Sequence, residues 1–269
     1  MFYDGNGNII TISGSGGSEK SGVVSPILYE TQYMAHGAAA WAGVPANTMP
    51  RFEKAAQEGY KFVEVDVWFT SDNVPVGSHD DDITAKVNND DGSTPAASVV
   101  ISASTYEELL VYDFGIRYGA DYAGIRIMKL EDLLYFCKRK NMCILLDLKG
   151  ELTNEQMDVV YNMVVKSGMK SRTVWYADST RVPYLTSKDT ELIYDVPSHT
   201  LALQYMDKAA MMIFDTSNTA KLTKDFIGTL HQTGVLCYGW TINTQETADE
   251  LFANGCDYVC TNTLLNSSI

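Results

Sequence analysis

Apolar segments and amphipathic segments alternate along most of this chain. From about Tyr33 onward, nine short runs have the length and residue types of β-strands, and they read YMAHG, FVEVDVWF, VPVGSH, MCILLDLK, TVWYAD, LIYDV, MMIFD, VLCYGWTI and DYVCT. The segments between them are typical of helices, and they read PRFEKAAQEG, KLEDLLYFCKRK, TNEQMDVVYNMVVKSG, TKDFIGTLHQTG and QETADELFANG. Four of these close with a glycine suited to the position after a helix, namely Gly59, Gly168, Gly234 and Gly255.

This order of elements predicts repeated βα units, and therefore an α/β fold of the (β/α)₈ TIM-barrel type. A chain of 269 residues that is 45% hydrophobic can bury one large core, so we expect one barrel domain rather than two small domains. Nine strands are one more than the barrel needs. We expect either LIYDV or MMIFD to be short or irregular.

The first residues of the chain differ from the rest. Residues 1–24 are rich in Gly, Ser and Asn with one apolar patch, IITI, which predicts a turn-rich extension, with a hairpin or a linker, before a barrel domain at 25–269. The start has no basic segment followed by an apolar one, and nowhere do 18 apolar residues run together. We therefore expect no transmembrane segment, and a cytoplasmic protein unless a leader has been removed.

Charge and cysteine content narrow the classes of partner. The chain has 20 Lys and Arg against 34 Asp and Glu, a formal net charge of −14, which disfavours nucleic acid and anionic membrane surfaces. A small-molecule substrate is the expectation, and oligomeric state cannot be read from the sequence. The five cysteines lie within apolar elements and are expected to be reduced core thiols, because Cys256 and Cys260 lack zinc-site spacing.

Polar side chains cluster where the predicted strands end, which is the edge that carries active sites in TIM barrels. They are His36, Glu64, Asp66, His79, Asp147, Lys149, Trp240 and Asn243. A single inward carboxylate or strand-end histidine is more often a hydrogen-bonded structural residue. Several on one predicted rim favour a functional site.

The carboxylates among them predict a metal site. Glu64 and Asp66 are two positions apart on a strand and so project to one face, while Val63, Val65 and Val67 project to the other. Two close carboxylates repel unless a cation lies between them. Asp147 offers a third oxygen ligand, and oxygen-only ligands suit one divalent ion such as Mg²⁺ or Ca²⁺ better than zinc.

The remaining polar residues suggest phosphoryl chemistry. His36 and His79 could act as general base and general acid on a phosphoryl group. Lys149 lies two residues after Asp147, on the same face, and could neutralise a phosphate oxygen.

Seven motifs in order resemble the glycerophosphodiester phosphodiesterase family, over about Tyr33 to Asn262. They are AHGA, PANT, EVDV, VPVGSHDD, KLEDLL, LDLK and GWTIN. The resemblance implies a TIM-barrel enzyme that holds one divalent ion. Such an enzyme hydrolyses a glycerophosphodiester to an alcohol and glycerol 3-phosphate.

The resemblance also implies roles for individual residues. His36 and His79 match the catalytic pair, Glu64 and Asp66 match two metal ligands, and Asp147 stands where the family usually has a Glu ligand. Lys149 matches the phosphate-facing lysine and Trp240 the aromatic residue at the pocket mouth, while Asp80 is expected to orient His79.

Two further departures from the family pattern leave alternatives open. The family's Arg after the first His is Gly37 here, and the Glu of its Pro-Glu-Asn-Thr turn is Ala46. Venom-type phospholipase D (sphingomyelinase D) enzymes also lack that Arg and use an Asp-Leu-Lys strand, so a lyase that forms a cyclic phosphate is the second hypothesis. A barrel that only binds a phosphorylated ligand is the third.

Overall fold

A computed structural model describes residues 2–3, 9–10, 31–37 and 43–264 of the chain. Its strands are β1 (Phe2–Tyr3), β2 (Ile9–Ile10), β3 (Tyr33–Ala35), β4 (Phe62–Phe69), β5 (Pro75–Gly77), β6 (Asn88–Asn89), β7 (Tyr112–Asp113), β8 (Cys143–Leu148), β9 (Thr173–Tyr176), β10 (Ile193–Val196), β11 (Met211–Thr216), β12 (Leu236–Gly239) and β13 (Tyr258–Thr261). Its helices are α1 (Met49–Gln57), α2 (Tyr106–Leu109), α3 (Leu130–Arg139), α4 (Asn154–Ser167), α5 (Arg181–Lys188), α6 (His199–Tyr205), α7 (Lys224–Gln232) and α8 (Gln245–Asn254).

Eight parallel strands form a closed barrel. The order around it is β3, β4, β8, β9, β10, β11, β12 and β13, and β13 pairs with β3 to complete the ring. Helices pack around the outside, as the apolar faces of α1, α3, α4 and α7 require. The predicted TIM barrel is confirmed.

The expectation about the ninth strand was wrong. LIYDV and MMIFD both form regular barrel strands, β10 and β11. The additional strand is β5, which pairs antiparallel with β4 outside the barrel. The connection between β4 and β5 is only residues 70–74, and a parallel pairing would need a crossover of a dozen or more residues.

The five predicted helices are confirmed as α1, α3, α4, α7 and α8, and their closing glycines, Gly59, Gly168, Gly234 and Gly255, all have positive φ. Three short helices were not predicted. Pro183 in the first turn of α5 is compatible with a helix but weakens the pattern. The helices α2 and α6 are too short to show helical periodicity in the sequence.

The core has two layers separated by the barrel wall. Val63, Val65 and Val67 pack outward among helix residues, whereas Phe62 packs inside the barrel. The alternation predicted for β4 is therefore confirmed, with Glu64 and Asp66 on the inner face above Phe62. All five cysteines are buried and free, as expected.

The chain between β5 and α3 forms an excursion over one side of the barrel. It contains α2 and the antiparallel pair β6 and β7, and it has its own apolar cluster that includes Ile83, Ile101 and Leu109. This excursion covers the rim beside His79 and so helps to shape the site.

At the N-terminus, β1 and β2 pair antiparallel, as the predicted hairpin would. The domain boundary at residues 24 and 25 lies outside the described residues and stays a prediction. In the part of the chain that the structure describes, no helix is long and apolar enough to cross a membrane.

Candidate active site

Three carboxylates meet inside the C-terminal mouth of the barrel because of the strand register. Asp66 on β4 is paired directly with Asp147 on β8, and Glu64 lies two residues earlier on the same face as Asp66. Carboxylate oxygens of these three residues lie within 4.8 Å of one another. The structure thus brings together the three predicted metal ligands.

Burial and mutual repulsion make this cluster electrostatically costly. Burial raises the pKa of Glu64 well above its usual range, and the neighbouring charges of Asp66 and Asp147 raise it further. Burial likewise raises the pKa of Asp147, against the lowering effect of Lys149. The site therefore favours an additional positive charge.

Lys149 supplies part of that charge. Its Nζ lies 2.7 Å from Oδ1 of Asp66 and 2.5 Å from Oδ2 of Asp147. Three ionised carboxylates and one ammonium leave a net charge of −2, and every acidic donor is an oxygen, so the residues fit a hard divalent ion. The phosphate-facing role of Lys149 stays a prediction, and in this structure its ammonium pairs with the carboxylates.

His36 lies directly against this cluster. Its Nε2 is 3.9 Å from Oε2 of Glu64, and its Nδ1 is 2.9 Å from Oδ1 of Asn262. Burial lowers the pKa of His36, and the hydrogen bond to Asn262 and the charge of Asp66 offset part of this lowering. A neutral imidazole held by Asn262 is suited to accept a proton.

His79 occupies a more open position than His36. Its Nδ1 is 2.7 Å from Oδ1 of Asp80, and Asp80 also forms an ion pair with Lys86. The His79 side chain is about half exposed, at 52%. The predicted contact between Asp80 and His79 is present, and it leaves Nε2 of His79 available to a substrate.

Asn47 lies in the PANT motif, but no role in the site was predicted for it from the sequence. It is buried, its Nδ2 donates to Oδ2 of Asp66 at 2.9 Å, and its Oδ1 accepts from the Asp66 amide at 3.3 Å. Asn47 also has a positive φ of 51°. It holds Asp66 in place, and the signal for it was its position in a motif rather than any local pattern.

Gly37, which replaces the family's Arg, is packed too tightly for any side chain. A Cβ at this position would lie 2.2 Å from the Glu64 carbonyl oxygen. The Gly37 amide donates instead to Oε2 of Glu64 at 2.6 Å. The backbone at Gly37 therefore contacts β4, the strand that carries Glu64 and Asp66. This close packing requires glycine at position 37.

A second group of carboxyls lines the opposite wall of the mouth. Trp240 donates from Nε1 to Oδ2 of Asp215 at 2.9 Å, and Tyr238 donates to Oδ2 of Asp195 at 2.5 Å. Burial raises the pKa of Asp215 to about 6. Within the described part of the chain, Oδ1 of Asp195 and Oδ1 of Asp215 are buried without a hydrogen-bond partner.

Asp195 was not predicted to be a site residue, although a pattern in the sequence indicates its position. In LIYDV and MMIFD an acidic residue follows an inward apolar residue, Ile193 or Ile213, by two positions. That spacing puts it on the inner face, as for Glu64 and Asp66. Trp240 directly follows β12 and 39% of its surface is exposed, and its role in the substrate site stays a prediction.

A cavity of about 600 Å³ lies beside His79. Its lining includes Ala46, Asn47 and His79 from the barrel rim and residues from the excursion, among them Lys86, Phe114, Arg117 and Tyr118. Asn47 links the cavity to the cluster through its bond with Asp66. Ala46, which stands where the family has a Glu, is a small residue in the lining of this cavity.

Comparisons with known proteins agree with this site. The sequence profile described as "Glycerophosphoryl diester phosphodiesterase family" matches residues 38–265. YhdW of Bacillus subtilis, named as a candidate glycerophosphodiester phosphodiesterase, is 28% identical over 84% of this chain and 91% of its own length.

Solved structures show the same fold. A glycerophosphodiester phosphodiesterase from Agrobacterium tumefaciens superposes with a TM-score of 0.70 at 17% identity, over 87% of this chain and 96% of its own. An Oleispira antarctica phosphodiesterase, solved with the product sn-glycerol-3-phosphate, has a TM-score of 0.67 at 19% identity, over 87% of this chain and 95% of its own.

Fold, site and profile together define an enzyme of the phosphoric diester hydrolase class. Within that class, the chain belongs to the glycerophosphoryl diester phosphodiesterase family.

Proposed function

We propose that this protein hydrolyses a small glycerophosphodiester to glycerol 3-phosphate and an alcohol, with one divalent cation and with His36 and His79 as base and acid. The observation that carries the proposal is the position of His36 against a buried cluster of three carboxylates at the barrel mouth. Membership of the family and the product complex of the Oleispira antarctica relative support the choice of substrate class.

The carboxylates of Glu64, Asp66 and Asp147 would hold the ion. A bound divalent ion would supply charge to stabilise the developing negative charge on the phosphoryl oxygens, and Mg²⁺ and Ca²⁺ both suit these ligands. Lys149 now pairs with two of the carboxylates. With the excess negative charge neutralised, its ammonium would be able to turn to a phosphate oxygen.

The two histidines have different surroundings, which suggests different roles. His36, with its lowered pKa, would take the proton from a water molecule whose oxygen attacks phosphorus. The bond between phosphorus and the alcohol oxygen then breaks, and His79 would donate a proton to that oxygen. Asp80 would hold His79 in the orientation that this transfer needs.

Trp240 and Asp215 would bind the glycerol half of the substrate. The indole of Trp240 is exposed at the mouth and fixed by its bond to Asp215. Oδ1 of Asp215 is buried without a hydrogen-bond partner among the described residues, and it would accept from a substrate hydroxyl that enters the barrel mouth. A glycerol diol is a suitable partner for such a group because each hydroxyl can donate or accept.

Phosphorus NMR tests the proposal directly. The protein is incubated with glycerophosphocholine, glycerophosphoethanolamine, glycerophosphoinositol and a lysophospholipid, with Mg²⁺ or Ca²⁺ and with a chelator. We expect a phosphomonoester signal that needs the metal, is lost in His36→Ala and His79→Ala, and persists in the control His199→Ala. A persistent cyclic phosphate would instead identify the venom-type reaction.

The binding-module hypothesis predicts a third result. If calorimetry showed that the protein binds the diesters without turning over any of them under any metal condition, the proposed hydrolysis would be wrong. Gly37 in place of the family's Arg makes this outcome worth testing, since one cation that could bind the phosphate is absent.

A further inference from the structure

The charge of the cavity beside His79 is opposite to the charge of the chain. The protein carries a formal net charge of −14, yet none of the twelve residues that line this cavity is acidic, and two of them, Lys86 and Arg117, are cations. The opposite wall of the mouth carries the carboxyls of Asp195 and Asp215. The two sides of the site therefore differ in chemistry.

The position of His79 decides which half of a substrate would enter this cavity. His79 lines the cavity, whereas His36 is absent from its lining. On the proposed function, His79 protonates the departing alcohol oxygen, so the departing group must lie on the side of His79. A volume of about 600 Å³ is large enough for a head group of sugar size.

We propose that this cavity is the leaving-group subsite, and that Arg117, assisted by Lys86, selects diesters whose departing alcohol carries its own anionic group, such as a phosphomonoester. The inference rests on the proposed hydrolysis and adds the chemical class of the head group. Guanidinium groups bind phosphate through paired, charge-assisted hydrogen bonds.

Arg117 is the stronger candidate of the two cations because Lys86 already pairs with a carboxylate. Lys86 forms an ion pair with Asp80, which in turn contacts His79. Arg117 has no ion pair with any residue that the structure describes.

The loop that carries Arg117 is held in place by buried contacts. Arg117 lies in a short 3₁₀ turn, Ile116–Tyr118. The carboxylate of buried Asp113 accepts hydrogen bonds from the amides of Gly115 at 2.7 Å, Ile116 at 2.9 Å and Gly124 at 2.6 Å. A fixed loop reduces the entropy lost when Arg117 binds a ligand.

Packing around Gly115 constrains the same loop. A Cβ at Gly115 would lie 1.8 Å from the Tyr122 carbonyl oxygen, so the close approach of the two chain segments requires glycine. The turn that presents Arg117 is therefore set by backbone contacts and by Asp113 together.

The aromatic residues of the cavity do not make it a choline site. Phe114 and Tyr118 line it, and aromatic faces can bind a quaternary ammonium group. Lys86 is paired with Asp80, but Arg117 also lines this cavity, and its charge would repel a cationic head group. The rings instead provide apolar contact for the carbon skeleton of a polyol phosphate.

The test compares two diesters that share the glycerol phosphate half. One is glycerophosphocholine and the other is glycerophosphoinositol 4-phosphate, and kcat/KM is measured for each. The variants are Arg117→Ala, Arg117→Glu and Lys86→Ala. The control is Arg139→Glu, which makes the same change in net charge as Arg117→Glu but at an exposed residue at the end of α3.

We expect the unmodified protein to favour the phosphorylated diester. Arg117→Ala should lower its kcat/KM by about tenfold, the effect of one charged hydrogen-bonding partner, and should raise that of glycerophosphocholine, because the charge that repels choline is removed. Arg117→Glu should reverse the preference, and Arg139→Glu should keep it. A preference for glycerophosphocholine, or a preference ratio that Arg117→Glu leaves unchanged, overturns the proposal.

Binding separates failure of this subsite from failure of the proposed hydrolysis. If neither diester is turned over, the hydrolysis is wrong, and calorimetric titration with glycerophosphoinositol 4-phosphate still decides the subsite. Binding that Arg117→Glu abolishes and Arg139→Glu preserves supports the subsite. No binding, or equal binding in both variants, refutes it.

Discussion

Glu64→Gln should stabilise the metal-free protein and abolish its stabilisation by metal. The substitution removes one charge from three carboxylates within 4.8 Å of one another. The amide oxygen of Gln can still accept from the Gly37 amide, which now donates to Glu64 at 2.6 Å. The change therefore alters charge with little change in shape or hydrogen bonding.

The magnitude follows from Coulomb's law. Two unit charges 4.8 Å apart repel by about 3.5 kcal/mol at an effective dielectric constant of about 20. Lys149 and partial protonation of Glu64, whose pKa is raised, offset much of this repulsion. We expect a net gain of about 1–2 kcal/mol in the free energy of unfolding, or about 2–6 °C in Tm.

Bound metal should reverse the order of stability of the unmodified protein and Glu64→Gln. A ligand at a hundred times its Kd stabilises the native state by about 2.7 kcal/mol, so saturating Mg²⁺ or Ca²⁺ should raise the Tm of the unmodified protein above that of Glu64→Gln. Scanning calorimetry with chelator and with each metal measures both effects.

Glu53→Gln, on the exposed face of α1, is the matched control and should respond to metal like the unmodified protein. The reasoning is refuted if metal does not raise the Tm of the unmodified protein, or if Glu64→Gln is less stable than that protein in chelator.

Three further changes test other parts of the structure. Gly37→Arg, which restores the family residue, should lower the free energy of unfolding by about 2 kcal/mol or more and should not raise activity, because its Cβ would lie 2.2 Å from the Glu64 carbonyl oxygen; chemical denaturation and the diester assay measure this, and a stable, more active variant would contradict it. Trp240→Phe removes the bond to Asp215 and should raise KM about threefold to tenfold with a smaller effect on kcat; an unchanged KM would remove Trp240 from the substrate site. The hydrogen bond to Asp257 raises the pKa of His231, so this residue stabilises the fold at a pH below its ordinary pKa, and that stabilisation is lost as pH rises through the raised pKa. Because the ring is 34% exposed, solvent screening limits the effect to about 0.5 kcal/mol, and the stability difference between the unmodified protein and His231→Gln should shrink between about pH 6 and about pH 9; a difference that grows over that range would contradict the assignment.

Local sequence determined a large part of this protein. Alternation along β4 places the valines outward and Glu64 and Asp66 inward, because successive side chains on a strand point to opposite faces. The glycines after the longer helices mark where those helices end, since each has a positive φ that glycine adopts readily. These features depend on a few neighbouring residues, so the barrel and its acidic mouth could be predicted.

Only the tertiary structure decided how the site is assembled. The register between β4 and β8 sets Asp66 beside Asp147, and Lys149 bridges both. The same long-range packing places Asn47 on Asp66, closes the backbone at Gly37 against Glu64 and turns Arg117 into the cavity beside His79. Each of these contacts joins residues far apart in the chain, and their meeting depends on which strands are neighbours and on how the barrel closes. Periodicity within one segment carries no information about either.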